Sequence, residues 1–342
     1  KRIAILADQQ VAQHYAAKAL ASIVGAGMTL GSTVGGTVAP GIFSFPAGEQ
    51  HKTRDTWAKL SDQLIAAGHR RDSVFVALGG GVTGDLVGFV AATYLRGVPF
   101  VQVPTSLLAM IDASIGGKTG VDTPAGKNLI GAFHQPSLVL IDPQVLRTLP
   151  PQHLRQGLAE AIKHGVIADA AYFAWIASSL REILDAGSTD DATALRLVQR
   201  SVEIKVGVVA QDEREGGVRK ILNFGHTIAH AIEHVTGYGV SHGDAVAIGM
   251  VVEATLAERI GLATPGLADT IATVCDAAGL PVRLPAGLDP AEIVIGTRSD
   301  KKTRGGVVEY ALPTRLGAMA GESSDFGIAV PEAEVLQTLQ HL

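Results

Sequence analysis

The sequence is poor in cysteine, because Cys275 is the only cysteine among 342 residues. A single cysteine excludes an internal disulfide and also excludes a metal site built from several thiolates. A metal site in this chain would therefore need histidine and carboxylate ligands. One thiol without a disulfide partner is typical of a reducing compartment, so we expect a cytoplasmic location.

Long apolar runs and a basic charge balance are also missing. No apolar run reaches about 18 residues, so no membrane span is expected, and the apolar part of the N-terminal segment is too short for a signal peptide. The net charge of −5 gives no reason to expect a nucleic-acid partner. The chain begins with Lys1 and not with Met, so we expect that residues precede it. A hydrophobic fraction of 47% over this length predicts a globular protein of two domains.

Residues 1–150 alternate strand-like and helix-like patterns. Short β-branched runs predict buried strands at 2–7, 73–78, 99–104 and 137–142. Helical patterns cover 53–68 and 85–97, and the Gly- and Thr-rich stretch 25–41 is interpreted as loop and irregular strand. Strand–helix alternation predicts an α/β domain with a parallel, Rossmann-like sheet.

The pattern changes at the double proline of residues 150–151. Helical periodicity then covers 154–167, 192–212, 224–237, 243–261 and 266–279. A late strand pair is predicted within 307–320. Residues 151–342 are therefore predicted to form a second, mostly α-helical domain.

The segment "LGGGVTGD" (78–85) follows a predicted strand and opens a predicted helix. Gly79, Gly81 and Gly84 fit G-x-G-x-x-G, in which glycines let backbone N–H groups approach a pyrophosphate at a helix N-terminus. The acid that a dinucleotide fingerprint has about 20 residues later is missing. Asp85, expected at the helix start, would repel phosphate and is better suited to a hydroxyl. A tight strand–helix turn without a ligand remains the alternative.

The stretch "IGGKTGVDTPAGKN" (115–128) has two Gly-Lys units in a predicted loop, with Lys118 and Lys127, followed by Asn128. Ammonium groups in a glycine-lined pocket suit phosphate or carboxylate, although a solvated basic loop is also compatible. Asp112 lies in an apolar run just before it and needs a partner, for which one of these lysines is the natural candidate. Glu49 and Lys52 could form a simple charge pair at a helix start.

Charged side chains share one face of the helix predicted around "GLAEAIKHG" (157–165). Glu160, Lys163 and His164 are spaced i, i+3 and i+4, and apolar neighbours indicate that this helix is mostly buried. A salt bridge on a solvated face is the simpler interpretation of the same spacing.

The segment "NFGHTIAHAIEH" (223–234) places His226, His230 and His234 four residues apart. Two adjacent histidines of this series could share one ion, with a further ligand from His242 or from Glu160. The zincin motif needs Glu directly after the first histidine, and Thr227 is there, so a metalloprotease is not expected.

Several ordered blocks between residues 47 and 320 resemble the 3-dehydroquinate synthase family. They are "GEQHK", "LGGGVTGDLVGFVAATYLRG", "VPTSLLAMIDASIGGKTGVD", "GKNLIGAFHQP", "GLAEAIKHG", "LNFGHTIAHAIE", "HGDAVAIGM" and "DKK". The resemblance implies an NAD-binding α/β domain and a helical domain that binds a divalent metal, Zn²⁺ or Co²⁺, and the substrate. The family reaction converts the keto-sugar acid phosphate DAHP into 3-dehydroquinate and phosphate, by transient oxidation with NAD, phosphate elimination, reduction and an intramolecular aldol step.

The resemblance also implies roles for individual residues, carried over by motif. The metal ligands are Glu160, His226 and His242. The cofactor contacts are Glu49, Lys52, Gly81, Val82, Thr83, Gly84, Asp85, Thr105, Ser106, Lys118, Lys127, Val145, Leu146, Arg147 and Thr148, with Asp8 as a looser match. The substrate contacts are Asp112, Lys118, Asn128, Lys163, Lys205, Arg219, Asn223, His230 and Lys301 or Lys302. Arg96 matches an arginine that the family donates across a homodimer interface, and no role follows for His234.

Three other functions compete with this interpretation. Another sugar phosphate cyclase, such as an amino-dehydroquinate synthase, would share most of these residues. A substrate without a carboxylate would not need Arg219 together with Asn223, so these two residues favour a carboxylate substrate. A metal-dependent glycerol or alcohol dehydrogenase would lack the Gly-Lys segment, and a catalytically inactive scaffold would not need the candidate ligands.

Overall fold

The structure is a computed structural model that describes residues 2–27, 29–30, 33–34, 37–38, 41–185, 191–298 and 308–342. The chain divides into two compact units, Lys1–Leu146 and Arg147–Leu342. The first unit is an α/β unit with a parallel sheet, and the second is mostly α-helical, as the sequence predicts. Within the described residues, no helix is both long enough and apolar enough to cross a lipid bilayer.

Strands of the first unit form one parallel sheet, a hairpin near residues 33–38 and a larger hairpin at 118–133. They are β1 (Arg2–Asp8), β2 (Thr29–Leu30), β3 (Thr33–Val34), β4 (Thr37–Val38), β5 (Ile42–Phe45), β6 (Val74–Gly79), β7 (Phe100–Pro104), β8 (Lys118–Thr123), β9 (Gly126–Phe133) and β10 (Leu138–Val139). In the main sheet the order is β10-β7-β6-β1, and β1 also pairs with β2 and β5. All of these pairs are parallel.

Helices cover both faces of that sheet, which is why its central strands are almost continuously apolar. They are α1 (Gln9–Val11), which continues through a π-helical turn into α2 (Ala17–Gly25), α3 (Arg54–Ala66) and α4 (Gly81–Thr93). Side chains of β1 alternate between two buried clusters: Ala4 and Leu6 pack in one, and Ile3 and Ile5 pack in the other. This alternation fixes the register of β1, because a shift by one residue would exchange the two faces.

The second unit is built from helices with two short strand pairs. The helices are α5 (Pro151–Ala168), α6 (Ala170–Leu184), α7 (Asp191–Gln211), α8 (His226–Val235), α9 (His242–Arg259), α10 (Leu267–Ala277), α11 (Pro290–Thr297) and α12 (Glu332–Gln340). The strands are β11 (Glu309–Tyr310), β12 (Pro313–Arg315), β13 (Ala318–Met319) and β14 (Ile328–Ala329), paired antiparallel as β11–β14 and β12–β13. Helix α9 is buried over most of its length and packs against α5, α8, α10 and α12.

Three sequence predictions for the first unit were wrong in detail. The segment predicted as a loop around Lys118 and Lys127 is the antiparallel hairpin β8–β9. Within residues 137–142 only the short edge strand β10 forms, and Leu138 in the strand and Leu140 just after it are exposed and not buried. Helix α4 begins at Gly81, so Asp85 lies one turn inside the helix and not at its start.

Candidate functional site

Three helices of the second unit bring one carboxylate and two imidazoles together. Glu160 lies in the middle of α5, and His226 and His242 are the first residues of α8 and α9. The Glu160 Oε1 atom is 3.4 Å from His226 Nε2 and 3.5 Å from His242 Nε2. One ligand atom from each of the three side chains lies within 4.8 Å of the others.

The second nitrogen of each imidazole contacts a fixed acceptor. His226 Nδ1 is 3.1 Å from the Phe224 carbonyl oxygen, and His242 Nδ1 is 3.4 Å from Glu233 Oε2. A carbonyl or a carboxylate oxygen can only accept, so both Nδ1 atoms carry the proton that these contacts need. When the ring is neutral, Nε2 then keeps its lone pair, so each Nε2 can bind a cation that Glu160 also binds.

The Glu160 carboxylate is fully buried, at 0% exposure, and its other oxygen contacts the ammonium of Lys163, which is 1% exposed. Burial raises the pKa of Glu160, but Lys163 and then His226 lower it more, so the net pKa lies well below its usual value. Burial and the Lys163 charge lower the pKa of His226 to about 4. For His242 burial acts in the same direction, but Glu160 and Glu233 together raise its pKa to about 10.

This set of side chains fits a divalent cation. Around a tetrahedral Zn²⁺ with bonds of about 2.0–2.1 Å, neighbouring ligand atoms are roughly 3.3 Å apart, close to the spacing from Glu160 Oε1 to the two Nε2 atoms. Oε2 of Glu160 contacts the Lys163 ammonium, and Oε1 faces the two imidazole Nε2 atoms. A buried carboxylate is costly unless charges or a cation satisfy it, and a cation bound between Oε1 and the two Nε2 atoms would satisfy this one.

The other two histidines of α8 differ in their distance from this cluster. The His230 ring is exposed on α8 and lies 5.6 Å from the His226 ring and 6.4 Å from the His242 ring, measured between centroids. His230 therefore lies beside the candidate metal centre. His234 is exposed one turn further along α8.

Basic and amide side chains of the second unit include Lys205, Arg219 and Asn223. Lys205 is buried on α7, and a 3-10 helix that packs against α5 and α7 carries Arg219 and Asn223. The Arg219 guanidinium donates to the Glu213 carbonyl oxygen, and Asn223 Nδ2 donates to Glu215 Oε1 at 2.8 Å. Lys301 and Lys302 lie outside the described residues.

In the first unit, the glycine-rich turn follows the carboxyl end of β6, beside the ends of β1 and β7. Thr83 Oγ1 donates to Asp8 Oδ2 at 3.2 Å, which links the start of α4 to the end of β1. A Cβ added at Gly84 would lie 2.5 Å from Gln102 Oε1, so the glycine lets the Gln102 side chain of β7 pack directly on α4. Ligands of parallel α/β sheets bind outside the carboxyl ends of the strands, which is where Gly81, Val82 and Thr83 lie.

Lys52 is the centre of a charge cluster at the same end of the first unit. Its ammonium is 2.8 Å from Glu49, 3.3 Å from Asp85 and 3.6 Å from Asp122. Burial raises the pKa of Asp85 to about 6, although the Lys52 charge opposes this shift. Asp85 therefore faces the Lys52 ammonium in this structure, while the Lys127 ammonium lies 3.9 Å from Glu49 Oε1.

The remaining predicted residues lie in several local structures. On the hairpin, Lys118 begins β8, and Asn128 on β9 has a left-handed φ of 53° and donates its N–H to Asp122 Oδ1 at 2.9 Å. Thr105 and Ser106 follow β7, Asp112 lies in a π-helical turn at Ala109–Ala113, Arg96 is exposed after α4, and Val145, Leu146, Arg147 and Thr148 belong to the 3-10 helix Pro143–Thr148.

The sequence reasoning did not identify Glu233, which contacts the second nitrogen of His242. Glu233 is buried on α8, one helical turn after Ala229 and His230. A glutamate on the helix face that also carries the candidate ligands needs a polar partner when it is buried, and that was the available signal.

Comparisons with known proteins agree with this geometry. Residues 42–156 match the family model "3-dehydroquinate synthase N-terminal", and residues 157–303 match "3-dehydroquinate synthase C-terminal". A 3-dehydroquinate synthase of Synechococcus sp. is 54% identical over 80% of this chain and 74% of its own length. One from Desulforamulus reducens is 44% identical over 99% of this chain and 90% of its own length.

Solved structures give the same fold. The 2-epi-5-epi-valiolone synthase ValA of Streptomyces hygroscopicus, with NAD⁺ and Zn²⁺ bound, has a TM-score of 0.88 and 30% identity, covering 99% of this chain and 90% of its own. A 2-deoxy-scyllo-inosose synthase with carbaglucose-6-phosphate, NAD⁺ and Co²⁺ has a TM-score of 0.87 and 25% identity, with the same two coverages. From the two family models and the long, close matches to curated relatives, this chain belongs to the 3-dehydroquinate synthase family.

Proposed function

We propose that the protein converts DAHP into 3-dehydroquinate and inorganic phosphate, as a phosphate-eliminating carbon–oxygen lyase of the shikimate pathway. The observation that carries the proposal is the convergence of Glu160, His226 and His242 on one point, in a chain of this family. These three side chains are the proposed metal ligands. When bound, a divalent cation, Zn²⁺ or Co²⁺, supplies polarisation of a substrate hydroxyl, and NAD supplies a reversible hydride acceptor.

Residues of the second unit prepare the metal centre and bind the substrate in this proposal. Lys163 keeps Glu160 ionised, because an ammonium in contact with a buried carboxylate favours its charged form. Arg219 is suited to the substrate carboxylate through paired N–H donors, and Lys205 supplies a buried positive charge. The proposed substrate contacts are Asp112, Lys118, Asn128, Lys163, Lys205, Arg219, Asn223, His230 and Lys301.

Residues 1–150 are proposed as the NAD-binding domain, and residues 151–342 as the metal- and substrate-binding domain. The free N–H groups at the start of α4, where Gly80 has no side chain to cap them, suit a pyrophosphate. Asp8, which already accepts a hydrogen bond from Thr83, suits a ribose hydroxyl. The proposed cofactor contacts are Glu49, Lys52, Gly81, Val82, Thr83, Gly84, Asp85, Thr105, Ser106, Lys118, Lys127, Val145, Leu146, Arg147 and Thr148.

The degree of similarity supports DAHP over the substrates of other sugar phosphate cyclases. The relatives at 54% and 44% identity are named 3-dehydroquinate synthase, whereas the cyclases with other names are at 30% and 25%. Arg219 and Asn223 support a substrate with a carboxylate, which DAHP and its amino analogue share.

We also propose that the protein is a homodimer and acts in the cytoplasm. Apolar side chains are exposed on β9 and at the edge strand β10, namely Leu129, Ile130, Phe133, Leu138 and Leu140. Association with a second chain would remove exposed apolar side chains from water, so these residues are candidates for the dimer interface. Arg96 is exposed and is available for donation to a second copy. The single cysteine supports a reducing compartment.

The test is phosphate release from DAHP by purified protein with Zn²⁺ or Co²⁺ and less than one equivalent of NAD. We expect many phosphates per NAD, because the cofactor is regenerated in each cycle. Stoichiometric accumulation of NADH would contradict the proposal and indicate a dehydrogenase. No phosphate from DAHP, with release from an amino analogue or another sugar phosphate, would assign a different cyclase reaction.

A further inference from the structure

A second buried carboxylate, Glu253, contacts the backbone at the start of the helix that carries His226. Glu253 lies on α9 and is 0% exposed. Its carboxylate accepts the Gly225 N–H at 2.7 Å and the Ile228 N–H at 3.3 Å. Gly225 is the N-cap of α8 and has no side chain, so Glu253 provides the capping oxygen that α8 cannot supply itself.

The same peptide group connects Glu253 with the ring of His226. The peptide between residues 224 and 225 donates its N–H to Glu253, and its carbonyl accepts from His226 Nδ1 at 3.1 Å. The orientation of this peptide therefore fixes which nitrogen of His226 carries the proton. A carboxylate on the N–H also polarises the carbonyl of the same peptide, which strengthens the second hydrogen bond. Glu253 therefore influences the His226 imidazole indirectly, through the peptide group between residues 224 and 225.

Close packing of α8 against α9 makes this contact possible. Gly225 has a φ of +79°, and an added Cβ would lie 2.9 Å from the Met250 backbone nitrogen. A Cβ at Gly249 would lie 1.9 Å from the Gly225 carbonyl oxygen. Glycine at both positions lets the two backbones meet, and Glu253 follows Gly249 by one helical turn on the same face.

We propose that Glu253 is a positioning residue for the metal centre, which fixes the tautomer and direction of His226 through the 224–225 peptide. Helix α9 supplies both His242 and Glu253, so a single rigid element sets the position of one ligand directly and of a second ligand through that peptide. The inference rests on the proposed function, because it takes His226 as a metal ligand. It adds Glu253, which is not among the proposed metal ligands or substrate contacts, to the residues that act on the metal centre.

The chain offers a control in Glu258, which is partly exposed on the same helix. Glu258 Oε1 accepts the Ala268 N–H at 2.7 Å at the start of α10, whose N-cap is also a left-handed glycine, Gly266. This carboxylate caps a helix that carries none of the three proposed ligands. Glu253→Ala and Glu258→Ala both remove a carboxylate cap that α9 supplies, but only the first change removes one near His226.

The experiment is titration of the metal-free protein and its variants with Co²⁺, followed by d–d absorption and calorimetry, together with urea unfolding. For Glu253→Ala we expect a Co²⁺ dissociation constant about 10-fold to 100-fold higher and an altered d–d spectrum, as for loss of other outer-shell partners. Glu253→Gln keeps one accepting oxygen, so its Co²⁺ affinity should fall less than that of Glu253→Ala. If the alanine variant does not fold, the glutamine variant and amide exchange at Gly225 and Ile228 give the same comparison.

The outcomes separate this inference from the proposed function. Weaker Co²⁺ binding in the Glu253 variants, with wild-type binding in Glu258→Ala, supports the positioning role. Wild-type affinity and spectrum in Glu253→Ala, or in Glu253→Gln where the alanine variant does not fold, would overturn it and leave the metal centre intact. Equal losses of Co²⁺ affinity in the Glu253 and Glu258 variants would overturn it as well, because they would show that a general loss of stability weakens metal binding. A wild-type protein that binds no Co²⁺ would reject the metal centre itself.

Discussion

Replacing Lys52 by methionine tests the charge cluster of the first unit. The Lys52 side chain is 4% exposed, and its ammonium is the cation between the Glu49, Asp85 and Asp122 carboxylates. The variant keeps most of the side-chain volume and removes the charge. Breaking a fully buried ion pair costs about 3–5 kcal/mol. Because Glu49 and Asp85 are 39% and 21% exposed, water screens part of the repulsion, and we expect a loss of about 2–3 kcal/mol.

The loss should depend on pH in a defined direction. Burial raises the pKa of Asp85 to about 6, above its value in the unfolded chain. A carboxyl with a higher pKa in the folded state binds its proton more tightly there, so its protonation stabilises the fold as the pH falls through that pKa. Without Lys52, the three carboxylates repel each other, so their protonation stabilises the variant more than it stabilises the wild type. The deficit of Lys52→Met should therefore be largest at neutral pH and smaller below about 6.

Urea unfolding of wild type and variant at pH about 7.5 and about 5.5 measures both effects. Arg298→Met is the control, since Arg298 forms an ion pair with Glu332 in which both side chains are about half exposed, at 57% and 48%. Such an exposed pair contributes little, so we expect no resolvable change. The reasoning would be refuted by a Lys52→Met deficit equal to that of the control, or by one that grows as the pH falls.

Three further predictions follow. Burial raises the pKa of Cys275 to about 12, so the thiol should react with a disulfide reagent only after unfolding, and fast reaction of the native protein would contradict this. Gly249→Ala should destabilise the protein by about 1–3 kcal/mol and weaken Co²⁺ binding, because its Cβ meets the Gly225 carbonyl; unchanged melting and titration would disprove the close contact. Asp169→Ala should cost about 1–2 kcal/mol, because Asp169 caps α6 through the Tyr172 N–H. Although burial raises the pKa of Asp169, its hydrogen bonds lower it, so this deficit should vanish in acid, and a constant deficit would refute it.

Periodicity predicted the central strands and the long helices, because their burial pattern is local in the sequence. It failed at the β8–β9 hairpin, where glycines were interpreted as loop residues. An added Cβ at Gly131 would lie 2.2 Å from the Thr119 carbonyl oxygen, so glycine here lets β9 approach β8 closely. This requirement comes from the partner strand and cannot be read from the residues around Gly131. It also failed at Leu138 and Leu140, because an edge strand and a buried strand can have the same sequence pattern.

The candidate ligands could be named from the sequence, but their convergence could not. Glu160 and His226 are 66 residues apart, and only the packing of α5 with α8 and α9 brings their atoms to 3.4 Å. The supporting carboxylates were not found for the same reason. Glu233 contacts His242, and Glu253 accepts a hydrogen bond from the Gly225 N–H. Both contacts join α8 to α9, and no sequence motif marks them.

The location of bound zinc tests the central claim most directly. Crystals of the Zn²⁺-loaded protein, measured on both sides of the zinc absorption edge, would give an anomalous peak at the ion. We expect one peak about 2.0–2.2 Å from a Glu160 oxygen and from Nε2 of His226 and of His242. A zinc peak bound by other side chains would contradict the account. So would the absence of a peak at these three side chains in crystals of active protein that contains zinc.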